Sequence, residues 1–438
     1  MRKGIPIAVI LILSLLILIP TNFLSRNLAP NIPLQDLQGA SKIFSPLMRW
    51  GMGQEILKNL TEKVRDPSVF ILAGIVYGEE GDSQKALNLF GQAEQMLPAD
   101  PLPSLLIKLY SSKKSLDKDT FFLIEQEVKT RLRGWFRDKP LSRLYELRGN
   151  ILEARKIEAR ISAYNRALVV RIVFIFFLWI FAFLAGSILL IYFLATRLKE
   201  APPSVYIPSI GWGWSLLYIF LFFFVSTAIS SIPVVMLSLP IQSSSFWKNS
   251  LPLFILLGEL IGGVLVYYLA LKRLSRKGWT LMDLGIRVEG FRPILWGFGG
   301  WLVAFPLVAI GLLISYLINA DAIKSSQDIS TFFLSSSPLG KFVIGFLVIA
   351  VAPPIEEFLF RGLLYPALRE ELGPLLGILL SGFFFASIHH DVSRLLPLMA
   401  LGILFAFLYE RRRSLLPSII AHALWNAQTL VSLYLFFG

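Results

Sequence analysis

Apolar positions along this chain come in long runs separated by short polar connections. The clearest run is residues 172–195, IVFIFFLWIFAFLAGSILLIYFLA, which carries no charge. As a helix it is long enough to cross a hydrocarbon core of about 30 Å. Comparable runs lie near 5–20, 212–236, 251–271, 294–318, 341–364, 374–388, 395–409 and 415–436. The pattern predicts an all-α polytopic membrane helix bundle of about nine transmembrane helices. Glycines and prolines interrupt several runs, which membrane helices tolerate where neighbouring groups re-satisfy the backbone.

Residues 22–170 break the pattern. They mix charged and apolar positions at helical spacing, as in LEARKIEARISAYNRAL (152–168). In FILAGIVYGEEGDSQKALNLFGQAEQMLP (70–98), Phe70, Ala73, Gly74 and Tyr77 fall on one helix. Ala86, Phe90 and Ala93 fall on a second, Gly81 supplies the turn and Pro98 closes the unit. These positions resemble a tetratricopeptide repeat, in which small residues let two helices pack closely. A generic helical hairpin has the same signature. One unit is fewer than the roughly three such arrays need, so flanking helices are expected to complete a small bundle. The chain then divides into a membrane anchor at 1–21, an extramembrane helical domain at 22–170 and a membrane domain at 171–438. The first run follows MRK and lacks a small-x-small cleavage site, so it reads as an uncleaved anchor.

Composition agrees. Hydrophobic residues make up 55% of the chain and charged ones 16%, against about 25% charged in soluble domains. The net charge of +13 reflects topology, because basic residues concentrate in alternate connections. Arg2 and Lys3 precede the first run, and Arg197 and Lys199 follow the second. Lys272, Arg273, Arg276, Lys277, Arg287 and Arg292 lie between the fourth and fifth, and Arg411, Arg412 and Arg413 between the eighth and ninth. QSSSFWKNS (242–250) and NADAIKSSQDIS (319–330), on the other side, hold few. This places the amino terminus in the cytoplasm and residues 22–170 outside it, and it makes the lipid bilayer, not nucleic acid, the expected partner. The connection WTLMDLGIRVEG (279–290) is amphipathic and is expected on the membrane surface. There is no cysteine, so no thiol nucleophile is available.

Ionisable groups inside apolar helices are costly and mark function. PPIEEFLFRG (353–362) carries three, and the only histidines, His389, His390 and His422, follow downstream with Asn426. Pro353 and Pro354 predict a helix start, with Glu356 and Glu357 in a first turn where the dipole favours negative charge. Glu357 and Arg361 are four apart and can pair. Glu356 is rotated about 100° from Glu357 and has no local partner. His422 and Asn426 share a face, and Phe385 can pack beneath His389. A carboxylate shielded from water is a usable general base, imidazoles shuttle protons or ligate metals, and an amide can donate to an oxyanion. The set suffices to activate a water at an amide carbonyl. It suffices equally to hold zinc through Glu356 or Glu357, His389 and His422. His390 reads as a structural residue at the membrane edge. Glu259, in GELIGG (258–263), reads as a polar packing contact or an accessory group. Neither GxSxG nor HExxH occurs.

EEFLFR (356–361), FASIH (385–389) and HALWN (422–426), on successive late helices, resemble the EExxxR, FxxxH and HxxxN patterns of the CAAX prenyl protease and bacteriocin-processing (Abi) family of intramembrane proteases. The resemblance covers about 280–438, with LLPSIIAHALWNA (415–427) the closest stretch and DLGIR (283–287) similar to a segment that precedes the family core. It implies an intramembrane endopeptidase of a bacterial plasma membrane, acting on a membrane-associated protein or peptide. Glu356 matches the water-activating glutamate, Glu357 and Arg361 the supporting pair, His389 and His422 the two histidines, and Asn426 the oxyanion donor. Glu356, His389 and His422 would be the ligands if zinc is used. The doubled histidine and the 22–170 domain depart from the family pattern, and that domain is expected to bind a protein partner or present substrate. Two other readings use the same residues. A non-catalytic scaffold or immunity-type binding protein would not need the motif set intact, and a transporter would show paired inverted halves, which are not evident.

Overall fold

Every regular element among the described residues is helical. The computed structural model describes residues 67–197, 208–238, 244–280, 282–285, 290–318, 336–389 and 391–437. The expected anchor at 1–21, the residues 22–66, His390 and the connection 319–330 therefore lie outside the described residues. The chain divides into two compact units, one built from helices before Phe176 and one from Phe177–Val431.

The first unit begins with helices α1 (Pro67–Glu79) and α2 (Ser83–Met96). Gly81 turns the chain between them at φ +95°, a conformation other residues adopt only with strain. Asp82 caps α2 by accepting from the Lys85 amide at 3.1 Å. Phe70, Ala73, Gly74, Tyr77, Ala86, Phe90 and Ala93 are all buried in this hairpin. Helices α3 (Pro101–Ser111), α4 (Lys118–Arg131) and α5 (Gly134–Leu147) follow, with Asp100 and Asp117 as caps. The start of α6 (Ile151–Tyr192) adds Ile157 and Ile161 to the same core. A Cβ on Gly74 would lie 2.4 Å from the Phe90 ring. Gly74→Ala is therefore expected to cost about 1–3 kcal/mol by overpacking, read as a lower thermal midpoint of the full-length protein, whereas Gly91→Ala, which meets nothing within 4 Å, stays near wild type.

The second unit holds α7 (Trp212–Ser230), α8 (Ile232–Ser238), α9 (Ser244–Ser275) and α10 (Arg292–Ile318). A long helical stretch then runs from Pro338 to Ser387, followed by α14 (Leu395–Arg412) and α15 (Leu416–Phe437). Among the described residues five helical segments are long and apolar enough to cross a membrane: Val173–Ala195, Trp212–Ser230, Ser250–Ser275, Arg292–Ile318 and Pro338–Ser387. The protein is a multi-pass membrane protein. Of the nine expected runs, the one at 5–20 lies outside the described residues, and three others differ from separate spans for local reasons. The runs at 341–364 and 374–388 belong to one continuous stretch, bent at Gly373 (φ 81°) before Pro374. The runs at 395–409 and 415–436 are helices, but α14 ends in Glu410, Arg411 and Arg412, and α15 carries His422, Asn426 and Gln428.

Small residues set the helix packing, as they do where lipid gives helices no hydrophobic reason to associate. A Cβ on Gly258 of α9 would lie 2.6 Å from the Ser226 carbonyl of α7, and one on Gly402 of α14 would lie 2.7 Å from the Cα of Gly382. The described part of DLGIR packs into the protein: Leu284 is fully buried, the Leu415 amide donates to the Gly285 carbonyl at 2.9 Å, and the Tyr409 hydroxyl donates to the Leu284 carbonyl at 3.1 Å. Within this connection Leu284 and Gly285 are thus held against the protein, while Met282 is exposed. Arg413, which the sequence places among topology-setting charges, is also largely buried. It joins Tyr365 and Arg369 in donating to Glu410, which neutralises that buried carboxylate.

Candidate active site

The stretch Pro338–Ser387 consists of α11 (Pro338–Phe346), a π segment at Leu347–Val351, α12 (Ala352–Glu357), a second π segment at Phe358–Leu364, and α13 (Tyr365–Ser387). Pro353 and Pro354 stand in the first turn of α12, as the sequence suggests, but α12 follows the π segment without a break, so no free helix terminus faces the glutamates. The prolines instead accompany a change of register. The Ala352 amide reaches back five residues to the Leu347 carbonyl, and Pro353 has no N–H to give. The Val348 carbonyl thereby loses both its four-residue and its five-residue partner. Asn426 replaces them, donating from Nδ2 at 2.9 Å. Such π segments collect at functional sites.

The register also sets where the charges go. Glu357 and Arg361 are both fully buried and bonded, Nη1 to Oε1, at 2.9 Å. Arg361 donates its other terminal nitrogen to the Gly402 carbonyl at 2.9 Å, an approach that the Gly382–Gly402 helix contact permits. Its guanidinium lies 4.7 Å from the Phe385 ring centre and 5.3 Å from that of Phe405. The same Oε1 of Glu357 faces Nδ1 of His422 at 3.0 Å. A carboxylate that accepts there places the imidazole hydrogen on Nδ1 and leaves Nε2 as an acceptor. Nε2 in turn faces Oε2 of Glu356 at 3.9 Å. That gap is too long for a hydrogen bond.

His389 is fixed similarly. Its Nδ1 lies 2.9 Å from the Phe385 carbonyl, which only accepts, so Nδ1 donates and Nε2 is again left over. His389 is exposed and is not packed in a core. Phe385 holds the two imidazoles together, with ring centres 5.1 Å from His389 and 5.6 Å from His422. Phe405 stacks on His422 at 5.1 Å. The side chain of Glu356 is 16% exposed and that of Glu357 is 0%, so Glu356 is the carboxylate of the pair with an accessible part.

The structure therefore brings Glu356, Glu357, Arg361, His389, His422 and Asn426 into one region. Among the described residues no three His, Cys, Asp or Glu side chains form a group that could hold a metal ion. His389 and His422 are arranged about Phe385, and Glu356 does not join them in a ligand group. Sequence reasoning missed the Glu357–His422 contact, the Gly402 and Val348 carbonyls, and Phe405.

Residues 338–428 match the model of the Rce1-like type II CAAX prenyl endopeptidase family. Over this region the chain is similar to the CAAX protease family. The match begins at α11 and ends two residues past Asn426, so it encloses both π segments and all six site residues. No curated protein and no solved structure matches the chain.

Proposed function

We propose that the chain is an intramembrane endopeptidase that hydrolyses a peptide bond of a membrane-associated protein or peptide. The supporting observation is the divided pair of glutamates: Glu357 is committed to Arg361 and His422, while Glu356 faces His422 Nε2 across 3.9 Å. A water bound at the exposed part of Glu356 gives a proton to that carboxylate, and its oxygen adds to the scissile carbonyl carbon. Asn426 has a second Nδ2 hydrogen beside the one given to Val348, and it donates to the resulting oxyanion. The tetrahedral intermediate collapses as the C–N bond breaks. The leaving nitrogen takes a proton from Glu356 directly or through His389, whose Nε2 is free to carry it. The products are a carboxylate and an amine. The amino terminus is cytoplasmic in this reading, and the 22–170 region recruits a partner or presents substrate.

The test is cleavage of hydrophobic peptides in micelles by purified protein, followed by mass spectrometry. His422→Ala and His389→Ala are each expected to lose about a hundredfold or more in rate. Equal cleavage by wild type and both variants would refute the assignment. Because the histidines and Glu356 do not form a ligand group, prolonged chelator treatment is expected to leave the rate unchanged, and loss of activity restored by added zinc would show a metal-dependent site.

A further inference from the structure

Glu259 lies on α9, outside the three motifs and outside residues 338–428, yet it is turned toward the same site. Glu259, Gly263, Val266 and Ala270 recur at spacings that put them on one helix face. Val266 and Ala270 are buried in the core, and a Cβ on Gly263 would lie 2.7 Å from Ile355, the residue before Glu356. The face carrying Glu259 is therefore an interior face. Ser226 of α7, itself buried, donates to Glu259 Oε1 at 2.9 Å and holds the carboxylate there. Glu259 and Glu356 are close enough for their charges to repel.

The charge balance around them is uneven. Arg361 is bonded to Glu357, and among the described residues no lysine or arginine stands within ion-pair distance of Glu356 or Glu259. Oε2 of Glu356 is shut off from solvent and accepts no hydrogen bond. Arg361 attracts Glu356 only at a distance, and two neighbouring carboxylates without an ion-paired cation of their own in an apolar segment favour a positively charged visitor. A peptide laid across Glu356 places its next side chains one residue spacing, about 3.8 Å, to either side, within reach of a lysine or arginine tip.

We propose that Glu259 is a specificity-determining residue, binding the cationic tip of a basic side chain next to the scissile bond. This rests on the protease reading above. The test offers full-length wild type, Glu259→Gln and Glu259→Lys an equimolar mixture of hydrophobic peptides in micelles, identical except for Lys, Gln, Leu or Glu beside the cleaved bond. Wild type is expected to favour the Lys peptide over the Leu peptide by on the order of tenfold. Glu259→Gln is expected to remove that preference and Glu259→Lys to favour the Glu peptide. Ratios within one mixture do not depend on how much of a variant is folded, and the wild-type ratio stands without any variant. Cleavage without preference in wild type, or the same preference in all three proteins, would overturn this inference alone. No cleavage of any peptide would remove the protease reading and this inference with it.

Discussion

Glu356→Gln is expected to lower the cleavage rate by about 10²–10⁴-fold, the usual contribution of a positioned general base, while leaving the fold intact. The amide is nearly isosteric and keeps an oxygen toward His422, so the packing around Ile355 and Phe358 has no reason to move. It cannot take the proton of water. Rate and thermal midpoint should therefore separate: activity collapses and the melting curve does not. The neighbouring change, Glu357→Gln, should behave differently. Glu357 holds Arg361 and sets the hydrogen on His422 Nδ1, so its loss lowers both activity and stability. Two adjacent carboxylates with separable effects are the signature of the divided pair.

Arg361→Met carries the largest expected effect on stability. The guanidinium is 0% exposed, and its removal leaves Glu357 charged at 0% exposure, with only His422 beside it. Breaking a buried pair from one side costs about 3–5 kcal/mol, whereas replacing both members by uncharged groups of similar volume is far milder. The double variant Glu357→Gln/Arg361→Met should accordingly melt above Arg361→Met alone. A double variant that melts lower than the single one would show that the pair itself, and not the orphaned charge, dominates. The lost bond to the Gly402 carbonyl adds to both variants equally and does not affect the comparison.

The sequence made the local part of this site legible. Glu357 and Arg361, His422 and Asn426, and Phe385 and His389 are each four residues apart, and one helical turn brings such pairs together. The helix hairpin at 70–98 was legible for the same reason, its small and large positions falling at helical spacing around Gly81. What spacing cannot show is register and long-range pairing. Pro353 and Pro354 read as a helix start because proline favours the first turn, whereas a π turn accommodates them inside a continuous helix. That register is what frees the Val348 carbonyl for Asn426, and nothing in the local sequence announces it. The contact of Glu357 with His422 joins residues on helices far apart in the chain, and the Gly382–Gly402 approach that admits Arg361 depends on two glycines that look like ordinary membrane-helix residues. Arg413 misled in the opposite way: a basic residue after an apolar run suggests topology, but this one turns inward to Glu410.

The central claim is that Glu356 activates a water that attacks the peptide bond directly. The most direct measurement is a single turnover in water enriched in ¹⁸O, with protein in excess over a hydrophobic peptide in micelles and both peptide products and digested protein weighed by mass spectrometry. The expected result is one ¹⁸O in the new carboxyl terminus and none in the protein fragment that contains Glu356. Label in that fragment, or an unlabelled new carboxyl terminus, would contradict it.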